Sequence, residues 1–324
     1  MSSLSMTASS SSRQPRLVAI GNFDGVHRGH RSVLGAAAAE ASRAGLVPTV
    51  LTFFPHPAEV LGQKRQPVLT VLERKIELIR AIDSALEVVV QPFDLELAQL
   101  SPREFVESIL VKELDARQVF VGENFRFGHK RAGDLARLRE LGAEFGFVAR
   151  SEELVTDDVG AVSSTRIRRE LAEGNVARAG EMLGRPHRLG GTVIQGDRRG
   201  RTIGFPTANL DDVRELLPAD GVYAVRVSEL GASEATTDET LVDRLGVMNL
   251  GPRPTVERPY AIEVHVLDFE GDLYGRRLVV DFVERIRGVN KFSSLDELKS
   301  QIARDVDSAR SALGVSRSRS PVSA

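Results

Sequence analysis

Arg16-Leu17-Val18-Ala19-Ile20-Gly21-Asn22-Phe23-Asp24-Gly25-Val26-His27-Arg28-Gly29-His30 joins a short apolar run, a glycine-punctuated turn and the start of a helix. Residues 17–20 have the β-rich composition of a buried strand, and Val33, Leu34 and the alanines that follow read as the buried side of the helix. In a parallel α/β sheet ligands bind beyond the carboxyl ends of strands, where the next helix presents free N–H groups. Two histidines three apart, with a glycine between them, suit a phosphate that leaves with negative charge. A glycine turn carrying two partly exposed histidines explains the same residues. The stretch is not a dinucleotide fingerprint, since G-x-G-x-x-G is absent, and not a P-loop, since no Gly-Lys-Ser/Thr occurs.

Outward from this turn, β-rich runs at 47–53, 86–90, 118–121 and 145–149 alternate with helical patterns, which predicts a parallel sheet with crossover helices. Leu72, Ile76, Ile79 and Ile82 recur at helical spacing, as do Leu135, Leu138 and Leu141. Ser101-Pro102-Arg103-Glu104 supplies an N-cap, a proline in the first turn and a capping-box glutamate. After Gly184 the texture changes to extended runs at 190–195, 221–227, 245–249, 261–269 and 277–283. Glycine and aspartate turns separate them, the pattern of a small antiparallel barrel. A last helix is capped near Ser294 and carries Leu295, Leu298, Ile302 and Val306. The polar stretch 229–243 reads as an exposed loop. The expected division is therefore a tail at 1–15, an α/β domain at 16–183, a barrel domain at 184–312 and a second tail at 313–324.

The chain of 324 residues has 43 Lys and Arg against 45 Asp and Glu, a formal charge of −2, 42% apolar residues and no cysteine. That composition excludes a disulfide framework, a cysteine nucleophile and a thiolate metal site. Near-neutral charge argues against a nucleic-acid coat. No apolar run approaches the ~18 residues that span a bilayer, and the first fifteen residues lack the apolar core of a secretory signal. These features fit a cytoplasmic protein with no membrane contact.

A second cluster runs from Gly190 to Leu210 and includes Gly196, Gly200, Arg201, Gly204 and the string Gly204-Phe205-Pro206-Thr207-Ala208-Asn209. Glycines let backbone N–H groups turn toward phosphate oxygens, and arginines add charge. A glycine-rich hairpin with a solvated basic tip is the plainer reading. Ser163, Ser164, Thr165 and Arg168 stand at a helix start, where they suit a polyphosphate or an ordinary cap. Pro55-His56-Pro57 fixes a rigid loop, whether or not it touches a ligand. Asn124 lies at a strand end beside Phe125 and Phe127, which are ring brackets or core.

Residues Gly21 to His30 resemble the H-x-G-H signature of nucleotidylyltransferases. Their form, G-x-F-D-G-x-H-x-G-H, is similar to the adenylyltransferase module of bacterial bifunctional riboflavin kinase/FAD synthetases. Phe53-Phe54-Pro55-His56-Pro57, Val121-Gly122-Glu123-Asn124-Phe125-Arg126-Phe127-Gly128 and Ser163-Ser164-Thr165-Arg166-Ile167-Arg168 match further motifs of that module in order. The string 204–209 resembles the G-F-P-T-A-N motif of riboflavin kinases. Pro218 to Tyr223, Gly246 to Gly251 with Pro254-Thr255, Glu263-Val264-His265, Asp272 to Gly275, Arg287 and Lys291-Phe292 continue the likeness.

The resemblance implies a Rossmann-like nucleotidylyltransferase domain followed by a six-stranded antiparallel flavokinase barrel with a C-terminal helix. ATP would phosphorylate riboflavin to FMN, and a second ATP would adenylylate FMN to FAD with release of pyrophosphate. It further implies His27 and His30 as stabilisers of phosphate charge, and Gly21, Phe23, Ser163, Ser164, Thr165, Arg168, Gly196, Gly200, Arg201 and Gly204 as nucleotide contacts. Asn124 and Arg287 would contact flavin, Thr207 and Asn209 would be oxygen ligands for Mg²⁺ on the nucleotide, and Glu263 would accept the ribityl 5′-hydroxyl proton. His265 reads as a hydrogen-bonded barrel residue. No tightly bound organic cofactor is implied, and any self-association is expected to be transient. Two rival readings are an enzyme that adenylylates another small phosphate and a non-catalytic flavin carrier.

Overall fold

In a computed structural model the described residues are 14–62, 67–152, 155–196, 204–231, 240–252 and 260–314. They fall into two compact units, one within Met1–Gln66 and Leu72–Ala161, the other within Pro67–Val71 and Val162–Ala324.

The first unit is built on strands β1 (Arg16–Ile20), β2 (Val47–Phe54), β3 (Glu87–Pro92), β4 (Ala116–Gly122) and β5 (Val148–Glu152). All are parallel, in the order β3-β2-β1-β4-β5. Strand order reverses at β1, so the turn after it opens at the switch point where α/β sheets hold ligands. The apolar run of β1 is explained by burial on both faces. Leu17 and Ala19 pack with Leu34, Ala38 and Ala41 of α1 (Arg28–Ala44) and Ile79 of α3 (Leu72–Arg80). Val18 and Ile20 face the opposite cluster, which includes Val106, Leu110, Leu138 and Leu141. Short helices α2 (Pro57–Val60), α4 (Leu95–Gln99) and α5 (Pro102–Phe105) lie between, and α5 continues as a π-helical stretch, Val106–Glu113.

The capping box at Ser101 forms in both directions: Ser101 Oγ accepts from Glu104 N–H, and the Glu104 carboxylate accepts from Ser101 N–H. One strand boundary differs from expectation. Phe145 closes α6 (Leu135–Phe145), Gly146 caps that helix at φ 84°, and β5 starts only at Val148. Glycine reaches that left-handed conformation at little cost, so the chain turns there before extending. A small hairpin, β6 (Thr156–Asp157) and β7 (Gly160–Ala161), follows.

The second unit contains α7 (Ser164–Glu173), α8 (Val176–Leu183) and a closed antiparallel barrel. Its strands are β8 (His187–Ile194), β9 (Ala208–Asp211), β10 (Gly221–Glu229), β11 (Arg244–Pro252), β12 (Tyr260–Val266) and β13 (Arg277–Arg287). The sixth strand, β9, comes from the Thr-Ala-Asn string, which no periodic pattern marked as extended. β12 is shorter than expected, because Asp268 at φ 53° lies in the turn that follows it. Within the polar stretch after β10, Leu241 is fully buried. Tyr223, Met248, Val264 and Phe282 fill the barrel interior, with the Tyr223 and Phe282 rings edge to face at 5.1 Å. On the outer face, Val222, Ala224 and Val247 pack against Ala309 and Leu313 at the end of the final helix, α9 (Leu295–Ala312) and the residue after it.

Helix α8 buries Val176, Ala179, Met182 and Leu183 and packs on β13 and β8. Val176, Met182 and Leu183 each contribute up to about 1.5 to 3 kcal/mol on full burial. A fragment beginning at residue 184 is therefore expected to unfold at lower urea than one beginning at residue 162. Equal midpoints would show that the barrel does not depend on α8.

Candidate active sites

At the end of β1 the backbone leaves the sheet in a turn. Phe23, Gly25 and Val26 have φ of 47°, 85° and 39°, a left-handed conformation that costs a β-branched residue such as valine. The turn is held by side chains: Thr52 Oγ1 donates to the Asn22 carbonyl at 3.2 Å and Lys75 Nζ at 2.9 Å. Phe23 folds back over Gly21, where an added Cβ would lie 3.0 Å from the ring. The glycine of the motif thus makes room for its phenylalanine. Phe23 in turn meets the His30 ring edge-on at 5.2 Å.

His27 is the N-cap of α1, and its Nδ1 accepts from His30 N–H at 3.3 Å. The ring proton of His27 therefore resides on Nε2. The His27 and His30 rings stack at 3.6 Å with 20° between planes. At ~4 Å and an effective dielectric of ~20, two like charges repel by about 4 kcal/mol. Burial, then the neighbouring His27 and Lys75, hold the His30 imidazole well below its usual 6.5. The result is a helix N-terminus lined by imidazole N–H groups, a donor-rich site for an anion.

His56 caps α2 by accepting from Ala58 N–H through Nδ1 at 3.2 Å, and its Nε2 is 3.3 Å from the Asn22 amide. The Asn22 atom nearest His56 Nε2 is Nδ2 of its side-chain amide. The two motif loops are thereby tied to each other. Asn124 is exposed in the turn after β4. Phe127 is buried and stacked on Phe125 at 5.4 Å, so Phe127 belongs to the core. Ser163 caps α7, its Oγ accepting from Arg166 N–H at 3.3 Å, which places Ser164 and Thr165 in the first helical turn and Arg168 in the next. All four lie in the second unit.

The depressed His30 titration has a direct consequence for stability. The unfolded histidine takes up a proton near 6.5, whereas the folded one does so only at lower pH. Stability that is present above 6.5 is therefore lost as pH falls through that window. Urea midpoints of the first unit should fall between pH 7 and the folded value, and His30→Ala should flatten the decline.

On the barrel, register brings Glu263 beside two asparagines. Glu263 pairs with Asn209 on one side and Asn249 on the other. Ala208, Val264 and Met248 turn to the interior, so the Asn-Glu-Asn row takes the other face of the strands, where Asn209 is itself buried. Gly196 follows β8 and lies directly over Asn209, where a Cβ would come within 2.3 Å of Nδ2. No other residue permits that approach without displacement. Thr207 and Gly204 are exposed, and Gly200 and Arg201 lie outside the described residues.

A cavity of about 250 Å³ opens at the barrel mouth, lined by Val193, Thr207, Val264, Val266, Phe269 and Tyr274 among others. Thr207 lines the cavity, and Asn209, two residues on, belongs to the row. His265 Nδ1 is 2.7 Å from the Pro206 carbonyl and its ring lies edge-on to Phe205 at 5.7 Å. It fastens β12 to the residue before Thr207. Arg287 grips buried Asp305 of α9 through Nε at 2.9 Å and Nη2 at 2.7 Å, with its guanidinium carbon 5.7 Å from the centre of the Phe292 ring.

Lys75 was missed in the sequence, and Asn249, part of the Gly246 to Gly251 motif, had no role assigned. Lys75 shares the buried stripe of α3 with Leu78 and Ile79, and a lysine on such a stripe was the available signal. Asn249 became meaningful only through its register.

The FAD synthetase family model matches residues 9–166, and the riboflavin kinase family model matches residues 183–313. The bifunctional riboflavin kinase/FMN adenylyltransferase of Escherichia coli K12 is 41% identical over 305 residues, covering 93% of this chain and 94% of that protein. Its namesake in Bacillus subtilis 168 is 36% identical over 302 residues, covering 90% and 91%. A crystal structure named as a macrolide-efflux protein from Streptococcus pneumoniae superposes with a TM-score of 0.79 at 30% identity, covering 91% of this chain and 94% of that one. Among the described residues no helix is long and apolar enough to cross a membrane. Two family models in the order of the two sites, and relatives aligned over nine-tenths of both lengths, establish that the chain belongs to the bifunctional riboflavin kinase/FMN adenylyltransferase family.

Proposed function

We propose that the chain runs both reactions of its family at separate sites, with residues 16–183 serving FMN adenylylation and residues 184–312 serving riboflavin phosphorylation. The observation that carries the kinase assignment is the cross-strand row Asn209, Glu263, Asn249 beside the Gly196 turn. Glu263 accepts the proton of the ribityl 5′-hydroxyl as that oxygen attacks the γ-phosphorus of ATP and ADP leaves. Thr207 and Asn209 offer neutral oxygens, a set suited to a hard cation that arrives on nucleotide phosphates. Among the described residues no group of three His, Cys, Asp or Glu is placed to hold a metal by itself. Magnesium is the proposed ion, and when bound it neutralises phosphate charge. Gly196, Gly200, Arg201 and Gly204 are assigned to the nucleotide, and Arg287 to the flavin side, braced by Asp305.

At the first site an FMN phosphate oxygen attacks the α-phosphorus of a second ATP, and the bond to pyrophosphate breaks. FMN is already an anionic nucleophile, so His27 and His30 serve as N–H donors to developing charge and not as bases. Gly21 and Phe23 shape the turn, Ser163, Ser164, Thr165 and Arg168 hold nucleotide phosphate, and Asn124 contacts the flavin. The cytoplasm is the proposed compartment, and self-association is proposed to be transient. A time course of riboflavin, FMN and FAD with ATP and Mg²⁺ tests the whole scheme: FMN should rise first and FAD follow. ATP consumption with no FAD formed from supplied FMN would favour a different phosphate acceptor, and flavin binding without turnover would favour a carrier.

A further inference from the structure

Lys75 is only 7% exposed, on the face of α3 that also buries Leu78 and Ile79. Taking an ammonium out of water costs several kcal/mol unless charge and hydrogen bonds compensate, so packing alone favours a leucine or methionine there. The compensation points into the adenylylation loop. Nζ donates to the Asn22 carbonyl at 2.9 Å, and this carbonyl immediately precedes the left-handed Phe23. Asp24, itself 4% exposed, supplies the opposing charge. The charged and titratable groups facing this point are Asp24 from the turn, His27 and His30 from α1, and His56 from the next loop through Asn22.

We propose that Lys75 is a positioning residue for FMN adenylylation, acting through the Asn22 carbonyl and through the ammonium charge it places beside the His27–His30 pair. Pinning Asn22 fixes where the turn begins, and thus how the Phe23 ring and the two imidazoles are presented. The buried charge favours His30 as a neutral N–H donor in the empty site and draws in the polyphosphate anion. The inference rests on the assignment of His27 and His30 to adenylyl transfer. No residue of the H-x-G-H motif supplies this charge; it comes from a helix 45 residues beyond His30.

The test uses the full chain with Lys75→Met, Lys75→Arg and His30→Ala. Adenylylation of supplied FMN is followed against pH, His30 is titrated by NMR, and riboflavin phosphorylation is the control in the same molecule. Lys75→Met should lower kcat/KM for adenylylation at least ~10-fold, the order expected for a lost positioning contact, and move the His30 titration up by part of its depression, the share from burial and His27 remaining. Lys75→Arg, which keeps the charge, should leave that titration in place and recover part of the activity. Phosphorylation should be unchanged in both.

A folded Lys75→Met chain with wild-type adenylylation, or with lost activity but an unmoved His30 titration, overturns the proposal. If Lys75→Met does not fold, Lys75→Gln takes its place and is read against Lys75→Arg: an unmoved His30 titration in Lys75→Gln overturns the electrostatic role, and an upward shift there that Lys75→Arg does not show supports it. Full activity in His30→Ala refutes the site assignment itself, whereas loss there beside wild-type behaviour in Lys75→Met refutes only the role of Lys75.

Discussion

Glu263→Gln is expected to lower FMN formation by ~10²- to 10⁴-fold, the usual worth of a general base, while adenylylation of supplied FMN continues. Glutamine keeps the shape and still hydrogen-bonds the ribityl hydroxyl, but it does not take up the proton as that oxygen attacks phosphorus. The register supports a local effect: Asn209 and Asn249 flank Glu263 across β9 and β11, and the residue beneath it, Val264, is packed in the barrel interior. An uncharged isostere should therefore leave the strand in place. Steady-state phosphorylation and FAD formation, measured separately on one preparation, check both halves of the expectation. Wild-type turnover in an assay limited by chemistry would make Glu263 structural. A raised KM with turnover intact would make it a substrate-positioning residue.

His30→Ala should reduce FMN adenylylation by ~10²- to 10³-fold, the typical cost of removing one donor to developing negative charge, and spare riboflavin phosphorylation. The substitution removes one member of a ring pair stacked at 3.6 Å and the partner of the Phe23 edge. His27 keeps its cap, because the atom it accepts from is the residue 30 backbone N–H. Helix α1 is thus expected to start at the same place. Single-turnover FAD formation gives the chemical step, and unchanged rates in a folded variant would remove His30 from the mechanism.

Much of both sites was legible because local rules and the fold agree at those positions. The apolar run of β1, the glycine turn and the helix after it form a contiguous unit whose ligand end is fixed by the direction of the strand. The capping box at Ser101 and the caps at Ser163 and Ser294 formed as read, since a cap is decided by a few neighbouring residues. Motif strings carried the two activities for the same reason: their chemistry is written in consecutive residues. The misplaced start of β5 and overlong β12 are also local. Gly146 and Asp268 adopt positive φ, and apolar pattern does not show where a chain takes a left-handed turn.

The order of elements, the fold class of each half and the residue types available for phosphate chemistry are written in the chain. Which of those residues meet depends on how it folds. Asn209, Glu263 and Asn249 come from three strands spread over 55 residues and form a row only through antiparallel register. Arg287 reads as a ligand contact in its motif, yet its guanidinium is gripped by Asp305, whose side chain only the docking of α9 brings to it. Lys75 reads as one lysine in a charged helix until the packing of α3 buries its ammonium beneath the turn of another strand. For the row the deciding term is strand register, and for Arg287 and Lys75 it is burial against a distant segment, which sets the local dielectric and the available partners; none of these exists until the chain is folded.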